Sequence, residues 1–159
     1  ELKKNYKNYE NIFFENIAIS TNKQINYLYK VKSKDLYKYD EHIKGISSFD
    51  IKHLITHGVK KNHITKEETE SMSIVNLFKK YDFDIDLLLI DAEGYDSEIV
   101  IDLFQNSNFR PIIIFEYIHV KFKSIKILKN LFNTKKYKYL KINENLVCVP
   151  NEILLNIDF

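Results

Sequence analysis

The stretch Ile85-Asp86-Leu87-Leu88-Leu89-Ile90-Asp91-Ala92-Glu93-Gly94-Tyr95-Asp96 decides how the chain reads. Its first six residues are a near-continuous apolar run flanked by acids, the pattern of a strand buried on both faces in a parallel sheet. Asp91 to Gly94 follow at once. An amphipathic helix over Asp96–Phe104 comes next, with Ile99, Val100 and Leu103 turned inward. Arg110-Pro111 breaks the chain, and Ile112–Phe115 reads as a second fully buried strand ending at Glu116. A lysine-faced helix runs from Lys121 to Phe132. Strands over Tyr137–Ile142 and Leu146–Val149 flank Asn143-Glu144-Asn145, close enough for an antiparallel hairpin. Strand, helix, strand, helix, strand pair is the rhythm of an open α/β sheet.

Upstream of that stretch the signals are weaker. Leu2–Tyr9 looks like the polar end of a helix. Asn11–Ser20 mixes aromatic and β-branched residues and reads as a strand, as does the alternating Gln24–Val31. Ser33–Phe49 is polar, tyrosine-rich and carries Gly45 and Ser47-Ser48, which predicts a loop. Asp50–His57 reads as a helix capped by Asp50 and closed by Gly58. Lys60–Glu70 is charged and carries no clear period. Ser73–Lys80 reads as a helix capped by Ser73, with Ile74, Leu77 and Phe78 on one face.

The chain has 159 residues, which suits one domain over 1–159, and 45% are hydrophobic, enough for a packed core. The net charge of +2 lacks the imbalance of a polyanion-binding protein. Arg110 is the only arginine, and the lysine-rich run Lys121–Lys141 is explained by a solvated helix face and a strand, so no nucleic-acid partner is expected. The three glycines, Gly45, Gly58 and Gly94, are too scattered for a phosphate-binding or dinucleotide loop. The single cysteine, Cys148, excludes an internal disulfide and a multi-cysteine zinc site, and its apolar surroundings predict a buried thiol. No apolar run approaches a membrane span and no signal peptide opens the chain, so a cytoplasmic protein is the expectation. The lone methionine is Met72, which reads as a piece of a longer protein.

Ligands of open α/β sheets bind beyond the carboxyl ends of the strands. Asp91 and Glu93 follow one such strand; Glu116 ends the next, with His119 three residues on. If the strands are neighbours, the four groups converge, where they could do general acid/base work or hold a metal. Repulsion among the acids would raise one of their pKa values. The competing reading is helix capping by Asp91 and Glu93, worth about 0.3–1 kcal/mol each. His53 and His57 stand at i, i+4 near Asp50 and His63. They lack the glutamate of H-E-x-x-H, so surface or half-buried helix histidines are expected and no metal is assigned. Asp82, Asp84 and Asp86 alternate along a solvated edge. Tyr27, Tyr29, Tyr37 and Tyr39 either line a substrate mouth or pack under a loop.

The block Ile90-Asp91-Ala92-Glu93-Gly94-Tyr95-Asp96 resembles the I-D-x-E-G-[YF]-[DE] signature of FkbM-type methyltransferases. Other segments resemble the family in order: Asn11–Ser20 its third core strand with the N-x-A-[IL]-S ending at Asn16–Ser20, Gly45-Ile46-Ser47-Ser48-Phe49 the serine-bearing loop, Ser73–Lys80 the helix before the signature, and Arg110–His119 the next strand with its E-x-x-H ending. The resemblance implies an S-adenosylmethionine-dependent enzyme on a Rossmann-like, doubly wound, mostly parallel sheet with an antiparallel C-terminal strand. It further implies O-methylation of a sugar, glycan or small-molecule hydroxyl. By position, Asp91 and Glu93 would border the transfer site, Glu116 and His119 would flank the acceptor hydroxyl, and Ala18 and Ser20 would lie near the adenine, with Asp91 also facing the cofactor. Leu89 stands where the family often has lysine. The family's glycine-rich loop and the ribose-binding acid have no counterpart, so the expectation is an N-terminally truncated or degenerate domain.

Two other functions stay open. Asp91-Ala92-Glu93 after a buried strand mimics the D-x-D of metal-dependent nucleotide-sugar glycosyltransferases. A non-catalytic α/β interaction module is the third.

Overall fold

A computed structural model describes residues 2–21, 26–82 and 84–154. In chain order the elements are α1 (Leu2–Asn5), β1 (Ala18–Ile19), β2 (Asn26–Val31), α2 (Glu41–Gly45), β3 (Ser47–Ser48), α3 (Ile51–Thr56), β4 (Ile64–Thr69), β5 (Ser71–Met72), α4 (Ile74–Tyr81), β6 (Leu87–Ile90), α5 (Asp96–Asn106), β7 (Ile112–Glu116), α6 (Phe122–Thr134), β8 (Tyr137–Ile142), β9 (Asn145–Pro150) and α7 (Asn151–Leu154), with 3-10 turns at Ser33–Lys38 and Lys61–His63.

The largest sheet has the order β6-β7-β9-β8. β6 and β7 run parallel, Leu88 opposite Ile113 and Ile90 opposite Phe115, while β9 enters antiparallel between β7 and β8. The expected parallel pair and closing hairpin are therefore present. The fold is mixed α/β, and the described strands fall into three sheets. Among the described residues, β2, β3 and β4 form a separate antiparallel sheet, and β1 and β5 pair in parallel over only two residues.

α4 and α5, and α5 and α6, pack against each other around the main core. Ile74, Val75 and Phe78 of α4, Ile99, Val100, Leu103 and Phe104 of α5, and Leu128 and Phe132 of α6 are buried together with Ile90, Ile113, Phe115, Leu146 and Cys148 of the strands. Burial pushes the Cys148 thiol up to about 12, so it is a core group and not a nucleophile. A second, smaller core joins Val31, Ile46, Leu54, Val59 and Ile64, seating α3 on the β2–β4 sheet. No described helix is long and apolar enough to cross a membrane.

Several expectations need correction. β6 is not buried on both faces: Leu88 and Ile90 turn inward, but Leu87 and Leu89 are 57% and 69% exposed. Among the described residues β6 pairs only with β7, so it is an edge strand with one covered face. The strand expected over Asn11–Ser20 shrinks to Ala18–Ile19. Its aromatic half is held by side chains instead, Phe13 lying 5.1 Å from the Tyr81 ring and Glu15 accepting from Lys80 and Tyr81. Ser33–Phe49 is not a loop but a 3-10 turn, α2 and β3, and the unassigned Lys60–Glu70 supplies β4, paired with β2 along its whole length. Gln24 and Ile25 of the expected second strand lie outside the described residues.

The caps are where they were expected. Asp50 Oδ1 accepts from the Lys52 N–H at 2.9 Å and Ser73 Oγ from the Asn76 N–H at 3.2 Å. At the other end of α3, Gly58 takes φ +85° and the Val59 N–H returns to the Leu54 carbonyl at 3.0 Å.

Candidate functional site

The signature forms a tight turn at the carboxyl end of β6. The Tyr95 N–H donates to the Ala92 carbonyl at 3.0 Å, and the two central residues, Glu93 and Gly94, have φ of +48° and +87°. Glycine adopts this conformation freely, whereas a non-glycine residue loses about 1–2 kcal/mol there. Glu93 is held in place from both ends. Ser48 Oγ donates to its carbonyl at 3.0 Å, and its Oε2 lies 2.9 Å from His53 Nε2. Asp96 then opens α5 with its carboxylate buried beneath the turn. Burial pushes that carboxyl above its usual range, while the N–H groups of Ala92, Gly94, Glu116 and Asp96 itself pull it back down. Asp96 Oδ1 accepts from the Ala92 N–H at 3.4 Å, while its buried Oδ2 has no hydrogen-bond partner.

Three histidines gather beside this turn. His53 sits in α3, His57 caps its C-terminus one turn later, and His119 lies in the turn after β7. Their ring centroids are 4.6 Å (His53–His57), 5.1 Å (His53–His119) and 5.8 Å (His57–His119) apart. The His53 side chain is only 8% exposed, and its Nε2 bonds to Glu93. His119 Nε2 is 3.7 Å from Glu116 Oε2. His57 Nε2 is buried and has no hydrogen-bond partner. Burial, and then the like charges of His53 and His119, hold the His57 ring below its usual pKa, so it is neutral near pH 7. Burial first, with Asp96 and Asp91 adding to it, raises the Glu116 carboxyl, while His119 opposes the rise.

Two cavities meet at Glu93. One, of about 310 Å³, lies along the end of β6; β1 contributes Ala18 and Ile19 to it, the signature Asp91, Ala92 and Glu93, and β3 Ser47 and Ser48. The other, of about 400 Å³, is lined by His53, His119, Gly94, Asp50, Lys52 and Lys121. Ser48, Phe49, Glu93 and Tyr95 line both. Tyr95 is fixed by a 2.9 Å hydrogen bond between its hydroxyl and Thr21 Oγ1 and by its edge-on contact with Phe49, 5.0 Å between centroids.

A family model for the methyltransferase FkbM domain matches residues 1–140. The chain belongs to the FkbM methyltransferase family. No curated protein and no solved structure matches it.

In this FkbM domain, Asp91 and Glu93 share the first cavity with Ala18. Ser20 is buried next to it, donating its N–H to the Met72 carbonyl at 2.9 Å, but does not line that cavity. His119 opens on the second cavity and Glu116 stands behind it. Of the four tyrosines considered as a substrate mouth, none lines either cavity; Tyr39 instead bonds through its hydroxyl to His63 Nδ1 at 2.7 Å. His53 and His57, read from spacing as surface or half-buried helix residues, are half-buried and stand beside the signature turn. The available signal was their i, i+4 pairing on a capped helix. What spacing could not supply was the third ring, 62 positions further along, or the Glu93 carboxylate that joins the helix to the signature.

Proposed function

We propose that this domain is an S-adenosylmethionine-dependent O-methyltransferase, built on the doubly wound class I methyltransferase fold, whose acceptor is a hydroxyl of a sugar, glycan or small molecule. The observation that carries this reading is the pair of cavities meeting at Glu93, at the carboxyl end of a parallel strand, where α/β sheets hold their ligands. The first cavity suits the cofactor: Ile19, Ile74, Leu88 and Ile99 offer apolar walls, and the exposed Asp91 carboxylate at its lip suits a cationic group. The cofactor supplies an activated methyl group on a sulfonium sulfur.

The chain's own residues then have separate tasks. Asp91 attracts and orients the positive charge. Glu93 and Tyr95 form the shared wall, so an acceptor oxygen in the second cavity faces the first at short range, and rate comes chiefly from that alignment. His119, open to the second cavity, takes the hydroxyl proton on its ring, and Glu116 stabilises the imidazolium formed. Ala18 lies along the first cavity, and Ser20 fixes the β1–β5 pair that shapes it.

The test is calorimetric titration of S-adenosylmethionine into the protein with whatever residues its gene encodes before Glu1, followed by methyl-transfer assays on a panel of sugars. Asp91→Ala is expected to abolish transfer without unfolding the domain. Absence of binding sinks the reading, and full activity in Asp91→Ala removes Asp91 from the site. Sugar-nucleotide binding that needs Mn²⁺ would favour the glycosyltransferase instead.

A further inference from the structure

We propose that His53, His57 and His119 form a three-histidine site for a divalent transition metal, with Zn²⁺ the best fit and one coordination position open to the 400 Å³ cavity. Each ring offers one nitrogen, and the three lie within 4.8 Å of one another. A tetrahedral Zn²⁺ with its usual bonds spaces its nitrogens about 3.3 Å apart, so inward rotation of the rings by roughly an ångström closes the set. A donor set of imidazoles alone suits zinc and its neighbours and not Mg²⁺ or Ca²⁺, which take oxygen.

Three further observations point to an ion. His57 Nε2 is buried and has no partner, an orphaned nitrogen that a metal would satisfy. His53 is hydrogen-bonded to a carboxylate, Glu93 at 2.9 Å, and His119 has Glu116 beside its ring at 3.7 Å, an ion-pair distance longer than a hydrogen bond. Ligating histidines commonly give their second N–H to a carboxylate, which fixes the tautomer and leaves the other nitrogen as donor. On His53 the bonded atom is Nε2, so the free donor is Nδ1. A Cβ at position 94 would come within 3.4 Å of that atom, and glycine there leaves the approach open.

His53 and His119 line the second cavity and His57 does not, so the metal would sit in the cavity wall with its open position toward the solvent side. An oxygen ligand, from water or from a hydroxyl, occupies it. Zinc-bound oxygen loses its proton near neutral pH. A bound metal would therefore take over the proton-acceptor task given to His119 above. The inference itself rests on the cluster alone and stands or falls independently of methyl transfer.

The experiment is titration of Zn²⁺ into the 159-residue chain in competition with a chromophoric chelator. It is repeated with His57→Asn, Glu93→Gln and, outside the cluster, His63→Asn, each checked for folding by circular dichroism. The expected result is one equivalent bound. Glu93→Gln should weaken binding by the roughly 10–100-fold typical of an outer-shell carboxylate, and His57→Asn by more than that. His63→Asn should bind as the wild type does. The chain's one thiol is buried and does not compete. Co²⁺ in place of Zn²⁺ should give visible absorption of tetrahedral intensity, and this signal with Glu93→Gln carries the test if His57→Asn does not fold. No binding by the folded wild type, or binding unaltered in every folded cluster variant, overturns the proposal.

Discussion

Replacing the three glycines by alanine, one at a time, separates backbone strain from crowding at the site. Gly58 and Gly94 have nearly the same φ, +85° and +87°, but different surroundings. Nothing lies within 4 Å of a Cβ built at Gly58, whereas one at Gly94 would meet His53 Nδ1 at 3.4 Å and the His119 Cβ at 3.7 Å. Those distances are ordinary van der Waals contact, so the two substitutions should share one cost, the left-handed conformation. For an L-residue that is about 1–2 kcal/mol. Gly45 ends α2, has no positive φ and has open space around it, so alanine there should stabilise by about 0.4–1 kcal/mol. With a urea slope of about 2 kcal/mol per molar, Gly58→Ala and Gly94→Ala should each lower the midpoint by about 0.5–1 M and Gly45→Ala should raise it by a few tenths. Equilibrium urea unfolding followed by circular dichroism measures all three. A Gly94→Ala midpoint equal to wild type would refute the argument from φ. A loss far beyond that of Gly58→Ala would show that the His53 contact is a clash.

Two further predictions concern single groups. Tyr137 donates its buried hydroxyl to the Pro111 carbonyl at 2.9 Å, tying β8 to the residue before β7; Tyr137→Phe should cost about 1–3 kcal/mol in the same urea assay, because it strands a buried acceptor. His57 is held below its ordinary value of 6.5, so between that value and its lowered one the unfolded chain binds more protons than the folded one. Its contribution is present above the unfolded value and is lost as pH falls through this window, at no more than about 1.4 kcal/mol per pH unit. Urea midpoints taken from neutral pH down to mildly acidic pH should decline in wild type and decline less steeply in His57→Gln; equal slopes would refute the assignment.

What was legible from sequence follows the range of the interactions. Caps and periodicity are local, so Asp50 and Ser73 capped the helices expected of them, and the α5 and α6 faces read correctly. The β6–β7 pairing was legible because both runs are apolar and joined by one helix. The burial of β6 was not, since Leu87 and Leu89 look the same in sequence whether or not a neighbour covers them. β4 was missed because Lys66, Glu67 and Glu68 are three exposed charged residues in a row, which leaves no apolar alternation to read. The convergence of Asp91, Glu93, Glu116 and His119 on one edge was legible because each ends or follows a recognisable strand. The histidine cluster depends on α3 docking against the signature turn, and no spacing in the chain encodes that approach.

The uncovered flank of β6 also bears on how the protein behaves in concentrated solution. Among the described residues nothing pairs with β6 beyond β7, so its backbone offers donors and acceptors to any extended chain that arrives, and two leucines lie bare beside them. Covering each leucine is worth up to about 1.5–3 kcal/mol. Unlike many natural edges, this one has no lysine or proline within β6 to discourage an arriving strand, only Asp86 and Asp91 at its two ends. An extended segment laid along this flank, from a second copy or another chain, would continue the four-stranded sheet beyond β6 and cover the two leucines.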